Sequence, residues 1–334
     1  MKRPAWAKAS NEELLGLRFR DLGLSIAGTL LEGRVARLHE ELAARGIRLR
    51  PHVWLSSEWF TPEGVPGFAL PFYLAHPRLI RLERAQIHEA EDATETACMR
   101  LIRHEAGHAV DQAFRLHFRR EWRAIFGRYS LPYRRHYAPR PQRTDFVRNL
   151  PRWYAQSHPA EDFAETFALW LEPRSSWRRR YAGTGALQKL ERLDAMMREL
   201  DGKKPLVRCR EETESLSKLD HTLGRYYARK KARLEREPDP PYEEALRRAF
   251  SDEGRAGTAA AFLARARKRL SDSAMRRSGL DAYSIAQVLD GMILRTRELG
   301  LRLPPSGAPG PAVLAAMIDH TLHELRTGRY RIAR

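Results

Sequence analysis

Cysteine is scarce. Cys98 and Cys209 lie far apart and form neither a CxxC pair nor a disulfide framework, so a small disulfide-stapled fold is excluded and both are expected to be free thiols. Long apolar runs are missing as well. No segment approaches membrane-spanning length, and the opening MKRPAWAKASNEELLGLRFR carries charge without the continuous apolar stretch that a signal peptide requires. The expectation is a soluble, cytoplasmic protein with no membrane partner. Acidic excess is absent too: 60 Lys and Arg stand against 42 Asp and Glu, a net charge of +18. Such a surplus attracts nucleic acid or acidic protein over long range. Yet no RNP-type motif, zinc-finger spacing or aromatic-spaced basic loop accompanies it. Arginines alternate with glutamates in RLERAQIHEAED and RKKARLERE, the pattern of solvated helix faces, so nucleic acid is a partner to test and not one a motif identifies. Internal repeats and low-complexity tracts are also lacking. With 334 residues, 43% of them hydrophobic, the chain can bury a core in one large or two ordinary domains.

Periodicity organises what remains. Leu30, Leu31, Val35, Leu38 and Leu42 recur at helical spacing over residues 28–45, before Gly46 stops the pattern. Residues 47–54 and 68–82 are rich in aromatic and branched residues but studded with proline, which predicts short edge strands. A long helix is predicted over 93–116, with Asp92 and Glu95 as a capping box. Residues 129–158 read as a long irregular loop of the kind kept for function. A second amphipathic helix is predicted over Pro159–Leu171. Beyond about residue 183 the chain reads as almost wholly helical, with breaks at 202–205, 238–241 and 304–311.

The first long helix carries His104-Glu105-Ala106-Gly107-His108. Residues four apart on a helix differ by about 40° in direction, so both imidazoles of this HExxH pattern face one metal and Glu105 can reach a water on it. A catalytic zinc site needs a third protein donor and an open position. His117 is nine residues beyond His108 and about 180° round the same predicted helix, so it is expected to miss the metal. A third histidine six residues after His108 is excluded, because that position is Phe114. The second helix offers Glu161 and Glu165 in SHPAEDFAETFALWL, opposite the core-spaced Phe163, Phe167 and Trp170. One of these acids can bind zinc and the other can accept the second ring N–H of a ligand histidine. His136 and His158 read as loop histidines, and His320 with His323 as a solvated pair.

HEAGHAVDQAFRL followed by WYAQSHPAEDFAETFALWL resembles the bacterial "putative zinc-binding metallopeptidase" family, and GVPGFALPFYLAHPRLIRLE extends the likeness upstream. The spacing Tyr154-x6-Glu161-x3-Glu165 is similar to that of the lethal-factor-like toxin proteases. Both groups resemble gluzincins. The resemblance implies one catalytic Zn2+ held by His104, His108 and Glu161, with Glu105 as general base, Glu165 behind a ligand histidine and Tyr154 beside the oxyanion. It also implies an α+β fold: a zincin-like catalytic domain over residues 1–200, with a small sheet and an active-site helix, then a largely α-helical C-terminal region over 201–334. The expected reaction is hydrolysis of a peptide or protein substrate, with strand addition near PGFALPFYLAH as one mode of recognition. The competing readings are a protease acting on nucleic-acid-bound proteins and a non-catalytic metal-containing binding protein.

Overall fold

The structure, a computed structural model, describes residues 4–87, 90–134, 136–234, 242–253, 257–304, 309–327 and 330–331. Two compact units divide the chain: residues 1–135 with 143–232, and residues 136–142 with 233–334. The architecture is α+β, a small parallel sheet among helices, with a helical C-terminal region.

In the first unit α1 (Asn11–Gly16) opens on a reciprocal capping box between Ser10 and Glu13. Thr29 caps α2 (Leu30–Ala44), which buries Leu31, Leu38 and Leu42 as its period predicts. Strands β1 (His52–Ser56) and β2 (Gly67–Pro71) pair in parallel, with His52 opposite Gly67 and Ser56 opposite Pro71. On its other side β2 meets Phe60, whose carbonyl accepts the Ala69 N–H at 2.9 Å. The strand expected to continue to Leu82 ends at Pro71. Residues from Pro77 form α3 (Pro77–Ile87) instead, because Leu79, Leu82, Glu83 and Ile87 are buried at a helical and not an alternating period.

The long helix is α4 (Glu95–Phe114). Its cap is the Thr94 hydroxyl, which accepts the Ala97 N–H. Asp92, expected to cap it, accepts from Trp59 and Tyr73 instead. The helix stops two residues before the expected end: Arg115 turns left-handed at φ 51°, and Asp111 takes both the N–H and the ring of His117 at 2.8 Å each. Next come α5 (Arg120–Phe126), α6 (Pro159–Leu171), α7 (Trp177–Arg180), α8 (Gly185–Arg198) and α9 (Leu223–Leu234). Helix α6 is buried along almost its whole length and packs on α4. The helices touch at Gly107, where an added Cβ would stand 3.0 Å from the Ala164 Cα and 3.2 Å from Phe167. Only a glycine allows this approach without moving the neighbours.

Ion pairs tie each of these two helices to a further neighbour. Arg103 grips Glu41 of α2 through two 2.7 Å bonds, and Lys189 of α8 donates to Asp162 at 2.6 Å. Residues 206–222, expected to be helical, are mostly irregular and pack with the first unit. They lack a recurring apolar face to bury as a helix. Their backbone is satisfied elsewhere: Trp54 and Ser56 donate to the carbonyls of Thr213 and Glu214, and the Leu206 and Val207 N–H groups meet the Ala113 carbonyl.

The second unit contains β3 (His136–Tyr137), α10 (Glu243–Ala249), α11 (Ala259–Ser278), α12 (Ala282–Glu298), α13 (Gly310–Thr327) and β4 (Tyr330–Arg331). Leu246, Leu263, Leu289, Met292 and Met317 anchor its core, and β3 pairs antiparallel with β4. His320 is buried edge-on against Tyr242, so only His323 of the expected solvated pair is exposed. The break at 238–241 and residues 305–308 of that at 304–311 lie outside the described residues. Among the described residues no helix is long and apolar enough to cross a membrane.

Candidate metal centre

Helix α4 directs His104 and His108 from successive turns, and α6 presents Glu161 and Glu165 from the facing side. The Gly107–Ala164 contact brings the two faces within bonding reach. Glu161 Oε2 lies 3.1 Å from His104 Nε2 and 3.2 Å from His108 Nε2, and the two imidazole nitrogens are 3.2 Å apart. For metal–donor bonds of about 2.0–2.1 Å, the edges of a tetrahedron are about 3.3–3.4 Å. The three atoms thus form nearly one face of such a tetrahedron. Among the described residues this is the group of three His, Cys, Asp or Glu side chains able to hold a metal ion. Two imidazoles and one carboxylate are a donor set suited to zinc.

A second layer orients these donors. His104 Nδ1 donates to Glu165 Oε1 at 2.9 Å, which leaves Nε2 as the nitrogen for a metal. Glu165 is fully buried and held in turn by the Asn149 amide at 2.9 Å and the Leu150 N–H at 2.7 Å. Tyr133 donates its hydroxyl to Glu161 Oε1 at 2.9 Å, so the carboxylate's other oxygen faces the histidines. The Tyr133 ring stacks on His158 with centroids 3.7 Å apart. His158 is not a loose loop residue: it caps α6 through a 3.1 Å bond from the Ala160 N–H, and its Nε2 meets the Leu131 carbonyl at 2.7 Å. Of His136 only the backbone, in β3, lies within the described structure.

Glu105 sits between the two histidines in sequence, and its Oε2 accepts the Thr61 hydroxyl at 2.8 Å. Tyr154 lies beside the donors, its ring centroid 5.7 Å from that of His104. Burial, with the charges of Glu161 and Glu105, pushes its phenol well above the usual value, which keeps the hydroxyl protonated as a donor. Burial would raise the Glu161 carboxyl, but His108 and His104 hold it well below the usual range. Burial would lower His104, but Glu161 and Glu165 push it up to about 10. A cation entering the donor triangle therefore competes with a proton.

His117, as expected, does not join the cluster, though the reason is the helix end and its bond to Asp111. Tyr133, Thr61 and Asn149 went unrecognised in the sequence. The one signal available for Tyr133 and Asn149 was their place in the long irregular segment before α6. Tyr133→Phe should weaken metal affinity by about tenfold, because Glu161 loses the donor that holds its second oxygen. Titration of the variant with zinc against a competing chelator checks this, and unchanged affinity would reduce Tyr133 to a cover over the site.

Residues 82–204 match the family described as "Putative zinc-binding metallo-peptidase". The matched segment takes in α4, the irregular segment and α6, and so all four of the histidine and glutamate side chains that meet here. No curated protein and no solved structure matches the chain.

Proposed function

We propose that this chain is a gluzincin-type zinc metallopeptidase that hydrolyses peptide bonds in a peptide or protein substrate. The observation that carries the reading is the triangle of His104, His108 and Glu161 donors with the Glu105 carboxylate on the same helix. Its three protein donors leave a fourth position open, as catalytic zinc sites require. A single zinc ion bound there would supply Lewis acidity for the scissile carbonyl and make the attacking water more acidic. Glu105 takes the proton from that water on its carboxylate and passes it to the leaving amine. The Thr61 hydroxyl fixes Oε2 and so sets the orientation in which Glu105 receives the proton. Tyr154 donates its hydroxyl to the oxyanion that develops on the substrate carbonyl. Glu165 keeps His104 in the tautomer the metal needs.

Protein purified without added metal should contain about one zinc per chain and hydrolyse an unfolded protein substrate. A chelator should abolish that hydrolysis and zinc should restore it. Stoichiometric metal with no turnover would instead make the chain a metal-containing binding protein.

A further inference from the structure

One turn earlier along α4 than His104 and Glu105, the helix borders a cavity of about 360 Å3. Trp59, Tyr73 and Tyr154 give it aromatic walls, and Leu101 adds an apolar surface from α4. Two lining residues also belong to the metal centre: Tyr154 lies against His104, and the Leu150 N–H holds Glu165. A side chain occupying the cavity thus belongs to a chain whose backbone passes close to the donors.

The charges in the cavity are unevenly paired. The half-buried Lys230 ammonium is committed, 2.8 Å from Glu83 and 3.7 Å from Glu58. Asp92 Oδ2 accepts the Trp59 indole N–H at 2.9 Å and the Tyr73 hydroxyl at 2.5 Å. Both donors are neutral. They orient the carboxylate, but among the described residues no cation lies within ion-pair distance of Asp92. Arg100, the remaining cation of the lining, is exposed. The Asp92 charge acts on Lys230, but that ammonium bonds to Glu83, so in a chain with a net charge of +18 Asp92 faces an aromatic-walled space with no described arginine or lysine in an ion pair with it.

We propose that this cavity is a specificity pocket for a lysine or arginine side chain of the substrate. Its aliphatic stem packs on Trp59 and Tyr154 and its cationic head meets Asp92. Long basic side chains cover apolar surface while carrying their charge to a polar partner, and the aromatic faces attract the cation. An acidic side chain would be repelled, and an apolar one would cover the Asp92 charge without supplying a cation. The assignment rests on the peptidase reading of the adjacent centre.

The test uses zinc-loaded Glu105→Gln protein and three alanine–glycine hexapeptides that differ only in one central residue: arginine, alanine or glutamate. Binding is followed through tryptophan fluorescence. The arginine peptide should bind at least about tenfold more tightly than the other two, and adding Asp92→Asn should remove that advantage while leaving the alanine peptide unchanged. Equal binding of the arginine and alanine peptides, a preference for glutamate, or an arginine preference that survives Asp92→Asn would overturn the pocket. Asparagine still offers Trp59 and Tyr73 an acceptor oxygen. If Asp92→Asn nevertheless unfolds, the comparison of the three peptides on Glu105→Gln alone decides. Asp92-dependent binding with no cleavage of any peptide by the unsubstituted protein would overturn the peptidase reading and leave the pocket standing. Cleavage indifferent to the central residue would do the reverse.

Discussion

Glu105→Gln should keep its metal and lose hydrolysis by about two to four orders of magnitude. The amide has the shape of the carboxylate, and its oxygen can still accept the Thr61 hydroxyl that Oε2 accepts at 2.8 Å. What it lacks is the capacity to take a proton at neutral pH. None of the three donor atoms of the candidate metal site belongs to Glu105, so metal content should be unchanged. Elemental analysis and turnover on the same preparation separate the two properties. Activity near that of the unsubstituted protein would remove Glu105 from the mechanism, and loss of metal would show that the substitution had disturbed α4.

Glu161→Ala should leave dialysed protein nearly free of metal, whereas Glu165→Ala should weaken affinity by about ten- to a hundredfold. The contrast follows from their partners. Glu161 Oε2 stands 3.1 and 3.2 Å from the two imidazole nitrogens that face the ion position, so its loss removes a donor outright. Glu165 touches the opposite nitrogen of His104, and its loss frees the ring to rotate while the three donors remain. It also leaves the Asn149 amide and the Leu150 N–H without their acceptor, so some loosening of residues 149–150 should accompany the change. Zinc titration against a chelator of known affinity measures both variants. The reverse order of effects would make Glu165 the ligand.

The parts of this arrangement legible in the sequence are those governed by one helix at a time. Helix α6 runs over Pro159–Leu171 as its apolar spacing predicts, and the four-residue interval in HEAGH places two imidazoles on one face wherever the helix lies. The sheet was partly legible. Residues 68–82 combine aromatic and leucine-rich stretches with apolar positions three apart, and in so short a run those signals conflict; α3 shows that the three-residue spacing wins after Pro77. Residues 206–222 have no period to read, and their course follows backbone partners on β1 and α4. The same holds in the site. Tyr133, Thr61 and Asn149 lie outside regular helices, where sequence distance says nothing about which carboxylate a side chain will meet. Spacing places Glu161 and Glu165 on one face, but which of them meets the two Nε2 atoms depends on where α6 crosses α4, and no period in the sequence encodes a crossing point.

That crossing point makes Gly107 something like a shim of zero thickness. Because α4 and α6 meet there almost backbone to backbone, the edges of the donor triangle are a readout of interhelical spacing. A methyl group at position 107 would have to displace Ala164 or Phe167 by a few tenths of an ångström, and Glu161, three residues from Ala164 on the same rigid helix, would move with them. A shift of that size separates a good coordination bond from a poor one. Position 107 within HEAGH is thus a calibrated gauge that glycine alone fits without displacement, and grip on the ion can be tuned from a residue that bears no donor atom.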